Sequence, residues 1–187
     1  TECKKFYILF NGEIFNFKEL KKDIDYDFKT FSDTEVIIAG YKKFGREFLK
    51  KIEGFFSIVI LDLSKNILIC TVDPTSVKSL YYELKNNSIS LASELSSLMP
   101  KAQIQKKISH EALQIYLQYG FIHAPFSIIK DTFKVEPGEL IKFDLSNNNK
   151  TNFKKFNKHN YQNKKKVFDE LVLNAHQSRL ISDVPIA

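Results

Sequence analysis

Apolar residues of this chain fall into short continuous runs that predict buried strands. Polar residues at 64–66 and 86–87 separate consecutive runs, so two hairpins are predicted. Short turns between neighbouring strands are typical of antiparallel pairing. The run at 55–62 is too apolar for a sheet with one face in water, and we expect both of its faces to be buried. The predicted strands cover residues 6–10, 55–62, 67–72, 80–82, 89–91 and 140–145.

Apolar residues at helical spacing predict further elements between and after these strands. Gly45 and Gly120 are natural ends for the second and third of them. The predicted helices cover residues 15–22, 33–44, 109–119 and 167–181, and a shorter helix is predicted at 94–98. The mixed order of strands and helices predicts an α+β fold with antiparallel sheets rather than a doubly wound parallel sheet.

Ser32-Asp33-Thr34-Glu35 has the form of a capping box at the start of the second helix. In that arrangement Ser32 accepts a hydrogen bond from the Glu35 backbone N–H, and the Glu35 side chain reaches back to the chain before the helix. We therefore expect these two residues to pair with each other.

Composition divides the chain into three parts. Residues 1–145 carry most of the predicted elements, residues 146–165 are rich in Asn and Lys and are expected to form a linker, and residues 166–187 resume a helical pattern. Thr1 stands where Met would begin a chain, and the last residues are apolar. We expect both ends to have been cut from something longer.

The net charge and the number of cysteines limit which classes of protein this chain can belong to. The net charge is +6, but only Arg46 and Arg179 are arginines and the lysines are scattered, so the pattern does not favour nucleic-acid binding. No apolar stretch approaches the ~18 residues of a membrane span, and no membrane association is expected. Cys3 and Cys70 are the only cysteines, which favours a reducing compartment and a cytoplasmic protein.

Asn11-Gly12-Glu13 follows the first strand and is the first candidate for chemistry. Gly12 allows a sharp turn and a close approach to a ligand. The Asn11 side chain and the Gly12 N–H are two donors on one turn, which is what an oxyanion hole requires. Glu13 adds a carboxylate suited to an ammonium group. The alternative is a plain turn with a solvated Glu13, and these three residues alone favour that alternative.

Asp33 is the second candidate. It would either interact with the dipole at the start of its helix or provide a second anchor for the ammonium group of an amino acid. Spacing alone favours the first role.

Other nucleophiles and ligands are weaker candidates. Thr1 would have to act through its own α-amine, and no His or helix start stands near Cys3 to activate its thiol. Cys70 lies within an apolar strand and is expected in the core. The four histidines are dispersed and lack metal-ligand spacing, so no metal site is predicted.

Seven blocks in order along the chain resemble motifs of the glutamine-dependent asparagine synthetases. Residues 10–16 resemble the family's "NGEIYN" block, and residues 32–37 resemble its "SDTEVI" block. The other blocks are 54–58, 80–82, 92–94, 136–139 and 179–185.

This resemblance implies a fold in two parts. The first is a glutaminase of the N-terminal-nucleophile type, a class II glutamine amidotransferase with an α/β/β/α sandwich, here incomplete at its N-terminus. The second is an ATP-pyrophosphatase-type α/β domain, of which only the first helix would be present. In the complete enzyme, ammonia from glutamine passes to the second domain, which uses ATP to amidate aspartate to asparagine.

The resemblance also implies roles for particular residues. Asn11 and Gly12 would form the oxyanion hole, and both would bind glutamine together with Glu13 and Asp33, the latter through the substrate's ammonium group. ATP and Mg²⁺ would serve the complete enzyme, with none bound by this part. The implied partners are glutamine, aspartate and ATP, and the complete enzyme is expected to form a homodimer.

The chain also departs from the family pattern. The family's nucleophilic Cys and its carboxylate-binding Arg have no match, and Cys3 is too close to Asn11 to take the nucleophile's place. We therefore expect the chain alone to be inactive. Residues 72–79 retain only Asp73 and Lys78 of the family block. Two alternatives remain open: amidation of a sugar or other carboxylate in surface-polysaccharide synthesis, and a non-catalytic interaction domain.

Overall fold

The structure is a computed structural model that describes residues 5–85, 88–99, 107–146, 149–153, 168–177 and 179–180. The chain divides into two compact units, residues 1–12 with 55–156 and residues 13–54 with 157–187. Thr1, Cys3, the predicted turn at 86–87 and much of the predicted linker lie outside the described residues. The strands are β1 Phe6–Ile14, β2 Gly54–Asp62, β3 Ile67–Val72, β4 Tyr81–Lys85, β5 Ser88–Ala92, β6 Thr132–Lys134, β7 Leu140–Asp144 and β8 Asn149–Phe153. The α-helices are α1 Phe17–Lys22, α2 Asp33–Phe44, α3 His110–Tyr119 and α4 Phe168–Gln177, and 3₁₀ helices cover Gly45–Lys51 and Leu95–Leu98.

The first unit contains two sheets. The larger has the strand order β1-β2-β3-β7-β8, and the smaller has the order β5-β4-β6. Both predicted hairpins are present, with Ser57 opposite Val72 in one and Tyr81 opposite Ala92 in the other. Pairing is also antiparallel between β3 and β7, β7 and β8, and β4 and β6. The predicted α+β fold with antiparallel sheets is confirmed.

The core of this unit lies between the two sheets. Val59, Cys70 and Phe143 from the larger sheet belong to one buried cluster with Tyr82 from the smaller sheet. The Tyr82 ring stacks on Phe133 at 5.4 Å and meets the Phe143 ring edge-on at 5.7 Å. Burial raises the pKa of the Tyr82 hydroxyl. Tyr82 therefore joins the two layers through aromatic packing, and Cys70 is the core residue that its apolar strand predicted.

Two strands show where the hydrophobic pattern works and where it fails. Residues 56–60 of β2 are all buried, so both faces of the strand are covered, as its apolar run predicted. In contrast, β8 lies within the segment expected to be a linker. Its Asn- and Lys-containing sequence has no apolar alternation, and its pairing with β7 is what makes it a strand. The predicted domain boundaries at 145 and 166 stay a prediction.

The second unit is helical, and the start of α2 corrects the predicted capping box. Ser32 accepts its hydrogen bond from Thr34 N at 3.2 Å and not from Glu35 N. The Glu35 carboxylate instead accepts from the backbone N–H groups of Lys29 and Thr30, at 3.0 and 2.7 Å. The loop before the helix supplies better-placed donors than the cap itself. No helix within the described ranges has the length and apolar character needed to cross a membrane.

The interior of α2 contains a close contact between Gly40 and the ring of Phe48. A Cβ placed on Gly40 would overlap the end of that ring. Phe48 is only 2% exposed and stacks on Phe44, so its ring has little room to move aside. Glycine is therefore required here by packing rather than by backbone conformation.

We expect Gly40→Ala to lower the free energy of unfolding by about 1–3 kcal/mol through overpacking. The same exchange in an open helix would stabilise it by up to about 1 kcal/mol. Adding Phe48→Leu should recover part of the loss. Urea unfolding of the purified variants measures both effects, and a Gly40→Ala protein as stable as wild type would contradict the packing argument.

Candidate functional site

Asn11 and Gly12 lie in the first unit, near the end of β1. The predicted strand end at residue 10 and the predicted turn at Asn11-Gly12-Glu13 were wrong, because pairing with β2 keeps β1 extended from Phe6 to Ile14. Asn11 is exposed, and its Nδ2 lies 3.5 Å from Ser93 Oγ, within reach of a long hydrogen bond. Ser93 follows β5 directly. The side chain of Asn11 is thus oriented by the smaller sheet while its backbone belongs to the larger one.

Gly12 occupies a position that no other residue can share. Its φ is +148°, a conformation that L side chains rarely adopt. A Cβ there would overlap the Phe55 carbonyl oxygen and lie 2.7 Å from Phe56 Cα. The backbone of β1 therefore rests directly on the Phe55-Phe56 peptide of β2.

A hollow of about 190 Å³ opens beside Asn11. Three polar residues, Asn11, Ser57 and Ser93, face it among apolar side chains. It is smaller than the ~300–1,000 Å³ of typical drug-sized ligand sites, which suits a small metabolite or part of one. The remaining lining residues are Leu9, Phe10, Val59, Leu80, Leu91 and Ala92.

Glu13 and Asp33 belong to the second unit. Glu13 is exposed, and Asp33 is half-buried as the first residue of α2. Asp33 Oδ2 accepts a hydrogen bond from the Ile14 backbone N–H at 3.2 Å. This bond brings the Asp33 carboxylate to the residue that follows Glu13 in the chain.

The chain just after Glu13 is held in place by backbone and amide contacts. Phe15 N donates to Glu53 O at 2.8 Å. The Asn16 side chain donates to Lys51 O at 2.8 Å and accepts from Glu53 N at 3.0 Å. The end of β1 in this unit is therefore fixed on both sides of the Asp33 contact.

Asp73 is a buried carboxylate at the end of β3 that the sequence analysis did not place in a site. It is 0% exposed, and Oδ1 accepts from Thr75 N, Thr75 Oγ1 and Val77 N at 3.0, 2.7 and 3.1 Å. Oδ2 accepts from Phe56 N at 3.3 Å and Lys78 N at 3.1 Å. Burial opposes ionisation, but these hydrogen bonds outweigh it and lower the pKa of Asp73.

The remaining candidates that the structure describes take no part in a cluster, and His159 lies outside the described residues. His110, His123 and His176 are exposed, and within the described residues no group of three or more His, Cys, Asp or Glu side chains could hold a metal ion. The sequence analysis also missed Ser57 and Ser93. A polar residue in the otherwise apolar β2 was a usable signal for Ser57, and Ser93 lies in a block that resembles a family motif.

A family model described as a glutamine amidotransferase domain matches residues 1–157. The chain belongs to this family of glutamine amidotransferases. The chain shares 35% identity over 96% of its length with a putative glutamine-hydrolysing asparagine synthetase from Methanocaldococcus jannaschii, of which it covers 36%. It shares 34% identity over 99% of its length with asparagine synthetase 1 of Bacillus subtilis, of which it covers 30%. The chain thus spans about a third of the length of these relatives.

Solved structures show the same fold for the amidotransferase domain. Glutamine phosphoribosylpyrophosphate amidotransferase from B. subtilis superposes with a TM-score of 0.55 at 19% identity, over 82% of this chain and 29% of that one. A structure described as the allosteric regulatory enzyme of purine biosynthesis gives a TM-score of 0.56, also at 19% identity, with the same coverage. The predicted N-terminal-nucleophile amidotransferase fold is confirmed.

Replacing Gly12 by Ala should lower the free energy of unfolding by about 2–4 kcal/mol, because backbone strain adds to a clash with β2. Gly120→Ala is the matched control, since Gly120 also has a positive φ of 77°, in the left-handed helical region, but nothing lies within 4 Å of its added Cβ. That control should lose only about 1–2 kcal/mol. Equal thermal shifts for the two variants would contradict the close-approach argument.

Acid should destabilise the wild-type domain partly through Asp73. Its folded pKa lies below the reference value of 3.8, so its contribution is complete above about pH 4 and is lost as the pH falls through the folded value. As the pH is lowered from about 4, the free energy of unfolding of Asp73→Asn should therefore fall less steeply than that of the wild type. Chemical denaturation across this range measures the slope, and an unchanged slope would show that Asp73 is not responsible.

Proposed function

We propose that Asn11 and Gly12 form the oxyanion hole of a glutaminase. When a nucleophile attacks the side-chain amide of glutamine, its carbonyl oxygen becomes an oxyanion, and the Asn11 amide and the Gly12 N–H would donate to it. The observation that carries this proposal is that Asn11 lines the hollow and that Gly12, the next residue, rests on β2 without a side chain. No residue of this chain is assigned as the nucleophile.

Glu13 and Asp33 are proposed to bind the ammonium group of glutamine. Both are carboxylates, and charge-assisted hydrogen bonds to an ammonium group are among the stronger ones. The bond from Ile14 N fixes Asp33 Oδ2 and leaves Oδ1 with a 3.4 Å contact from Thr34 Oγ1. The roles proposed for Glu13 and Asp33 are carried over from the family motifs that these residues match. The roles of Asn11 and Gly12 have the same support.

The ammonia is proposed to serve asparagine synthesis in the complete protein. The support is the names of the relatives, which are glutamine-hydrolysing asparagine synthetases. On this proposal the complete enzyme is a cytoplasmic homodimer that uses aspartate, ATP and Mg²⁺. Because the described residues offer no metal-binding group, the proposal assigns none of them to Mg²⁺.

Asn11→Asp tests the glutaminase part of the proposal. The exchange keeps the shape of the side chain but replaces its N–H donor with an acceptor, so kcat for glutamine hydrolysis in the full-length protein should fall about 10²–10³-fold. Asn66→Asp is the matched control, because Asn66 Nδ2 also donates to a serine, Ser146 Oγ, at 2.9 Å. Release of glutamate and ammonia measures the rate.

The outcomes separate the parts of the proposal. Wild-type hydrolysis by Asn11→Asp would refute the oxyanion-hole role. Hydrolysis that depends on Asn11 but yields no asparagine from aspartate and ATP would refute only the acceptor, and would favour a sugar or another carboxylate.

A further inference from the structure

Gly12 and Asp73 contact the same peptide of β2 within the first unit. Gly12 rests on the Phe55 carbonyl and on Phe56 Cα, with no side chain between them. Asp73 holds the other side of Phe56, since its N donates to Phe56 O at 2.9 Å and its Oδ2 accepts from Phe56 N at 3.3 Å. Phe56 is therefore in contact with Gly12 of the proposed oxyanion hole on one side and with the buried carboxylate of Asp73 on the other.

The second of these bonds departs from a regular sheet ladder. In an antiparallel pair of this kind, Phe56 N would donate to the main-chain oxygen of Asp73. That oxygen instead accepts from Ser76 N at 2.9 Å and Gly138 N at 3.0 Å. The Asp73 side chain takes over the Phe56 N–H, so the end of β2 is placed by a carboxylate rather than by backbone.

The carboxylate can do this because its other bonds hold it rigidly. Thr75, Val77 and Lys78 donate to it from the loop that follows β3. Through its main-chain oxygen, Asp73 is also tied to the turn around Gly138, where Glu139 N donates to Glu136 O at 2.9 Å. Through Asp73, the position of the Phe55-Phe56 peptide is thus fixed by hydrogen bonds to two loops, the one after β3 and the one around Gly138.

We propose that Asp73 is a positioning residue for glutamine hydrolysis, which sets the place of the Gly12 N–H and the Asn11 amide by fixing the Phe55-Phe56 peptide. The inference rests on the proposed function, because it needs those two donors to act on the oxyanion. A bare glycine transmits a shift of the underlying peptide directly, and a misplacement of about 1 Å at a catalytic group can cost about 10²-fold in rate.

This role predicts a separation of kinetic constants. The partners of Asp73 named above do not include Glu13 or Asp33, the proposed anchors of the substrate's amino group. Loss of the Asp73 contact should therefore weaken the stabilisation of the transition state and leave ground-state binding largely intact. In Asp73→Asn one carboxylate oxygen becomes an NH₂ group, which cannot accept from Phe56 N or Lys78 N.

The test is Asp73→Asn in the full-length protein, with kcat and KM for glutamine measured on the folded fraction. We expect kcat to fall about 10- to 100-fold and KM to change by less than about twofold. Asp62→Asn is the matched control: Asp62 is also 0% exposed, is the last residue of β2, and accepts from Ser64 N at 3.0 Å and Lys65 N at 3.2 Å. It should reduce stability without reducing kcat.

A double variant shows whether Asp73 acts through the oxyanion hole. If it does, Asp73→Asn combined with Asn11→Asp should be little slower than Asn11→Asp alone, because the shared function is already lost. Fully multiplicative losses, or an unchanged kcat in Asp73→Asn, would overturn the inference while the proposed function stands. Wild-type activity of Asn11→Asp would instead refute the proposed function.

A milder pair of variants covers the case in which Asp73→Asn does not fold. Thr75→Ala removes the 2.7 Å hydroxyl bond to Asp73 Oδ1 and keeps the carboxylate, whereas Thr75→Ser keeps both. A fall in kcat of about threefold or more in Thr75→Ala that Thr75→Ser restores, with KM unchanged, would support the positioning role. Equal kcat values in the wild type and both Thr75 variants would overturn it.

Discussion

The contact between the Gly12 backbone and the Phe55-Phe56 peptide governs the geometry of the candidate site. The two strands approach so closely that even a methyl group has no room. The segment of β1 that carries Asn11 is therefore located by a contact between the main chains of the two strands, and main chain within a paired strand moves less than a side chain does. Asp73 accepts a hydrogen bond from this peptide through Phe56 N, and backbone N–H groups of the loop after β3 donate to the same carboxylate.

The hollow beside Asn11 provides the second physical condition. Leu9, Val59 and Leu80 are among the apolar residues that line it. A wall of hydrocarbon lowers the local dielectric constant, and an N–H donor in such surroundings interacts more strongly with a developing negative charge than it would in water. A few donors in an apolar setting are a suitable arrangement for stabilising an oxyanion.

The sequence was sufficient for those features that depend on local composition. The run at 55–62 predicted a strand buried on both faces, and the turn residues predicted both hairpins. Gly12 was singled out because a glycine directly after an apolar strand permits a close approach. The sequence analysis could not foresee contacts whose partners lie far along the chain, such as Phe56 N on Asp73 or Asn11 near Ser93.

Glu35 and β8 show why such contacts escape a local analysis. Glu35 had a suitable partner three residues away, but the folded loop brings Lys29 and Thr30 closer to its carboxylate. In β8 the polar residues carry no strand pattern, and the neighbouring strand β7 supplies the reason for the extended backbone. In both cases competition between partners decides the outcome, and that competition is settled only in the folded chain.

The absence of space at Gly12 also offers a practical criterion for comparing sequences. A related chain with any larger residue at this point would have to separate the two strands and give up the arrangement described above. Inspection of one aligned column is thus a quick way to sort gene products that keep this architecture from those that have diverged to other uses.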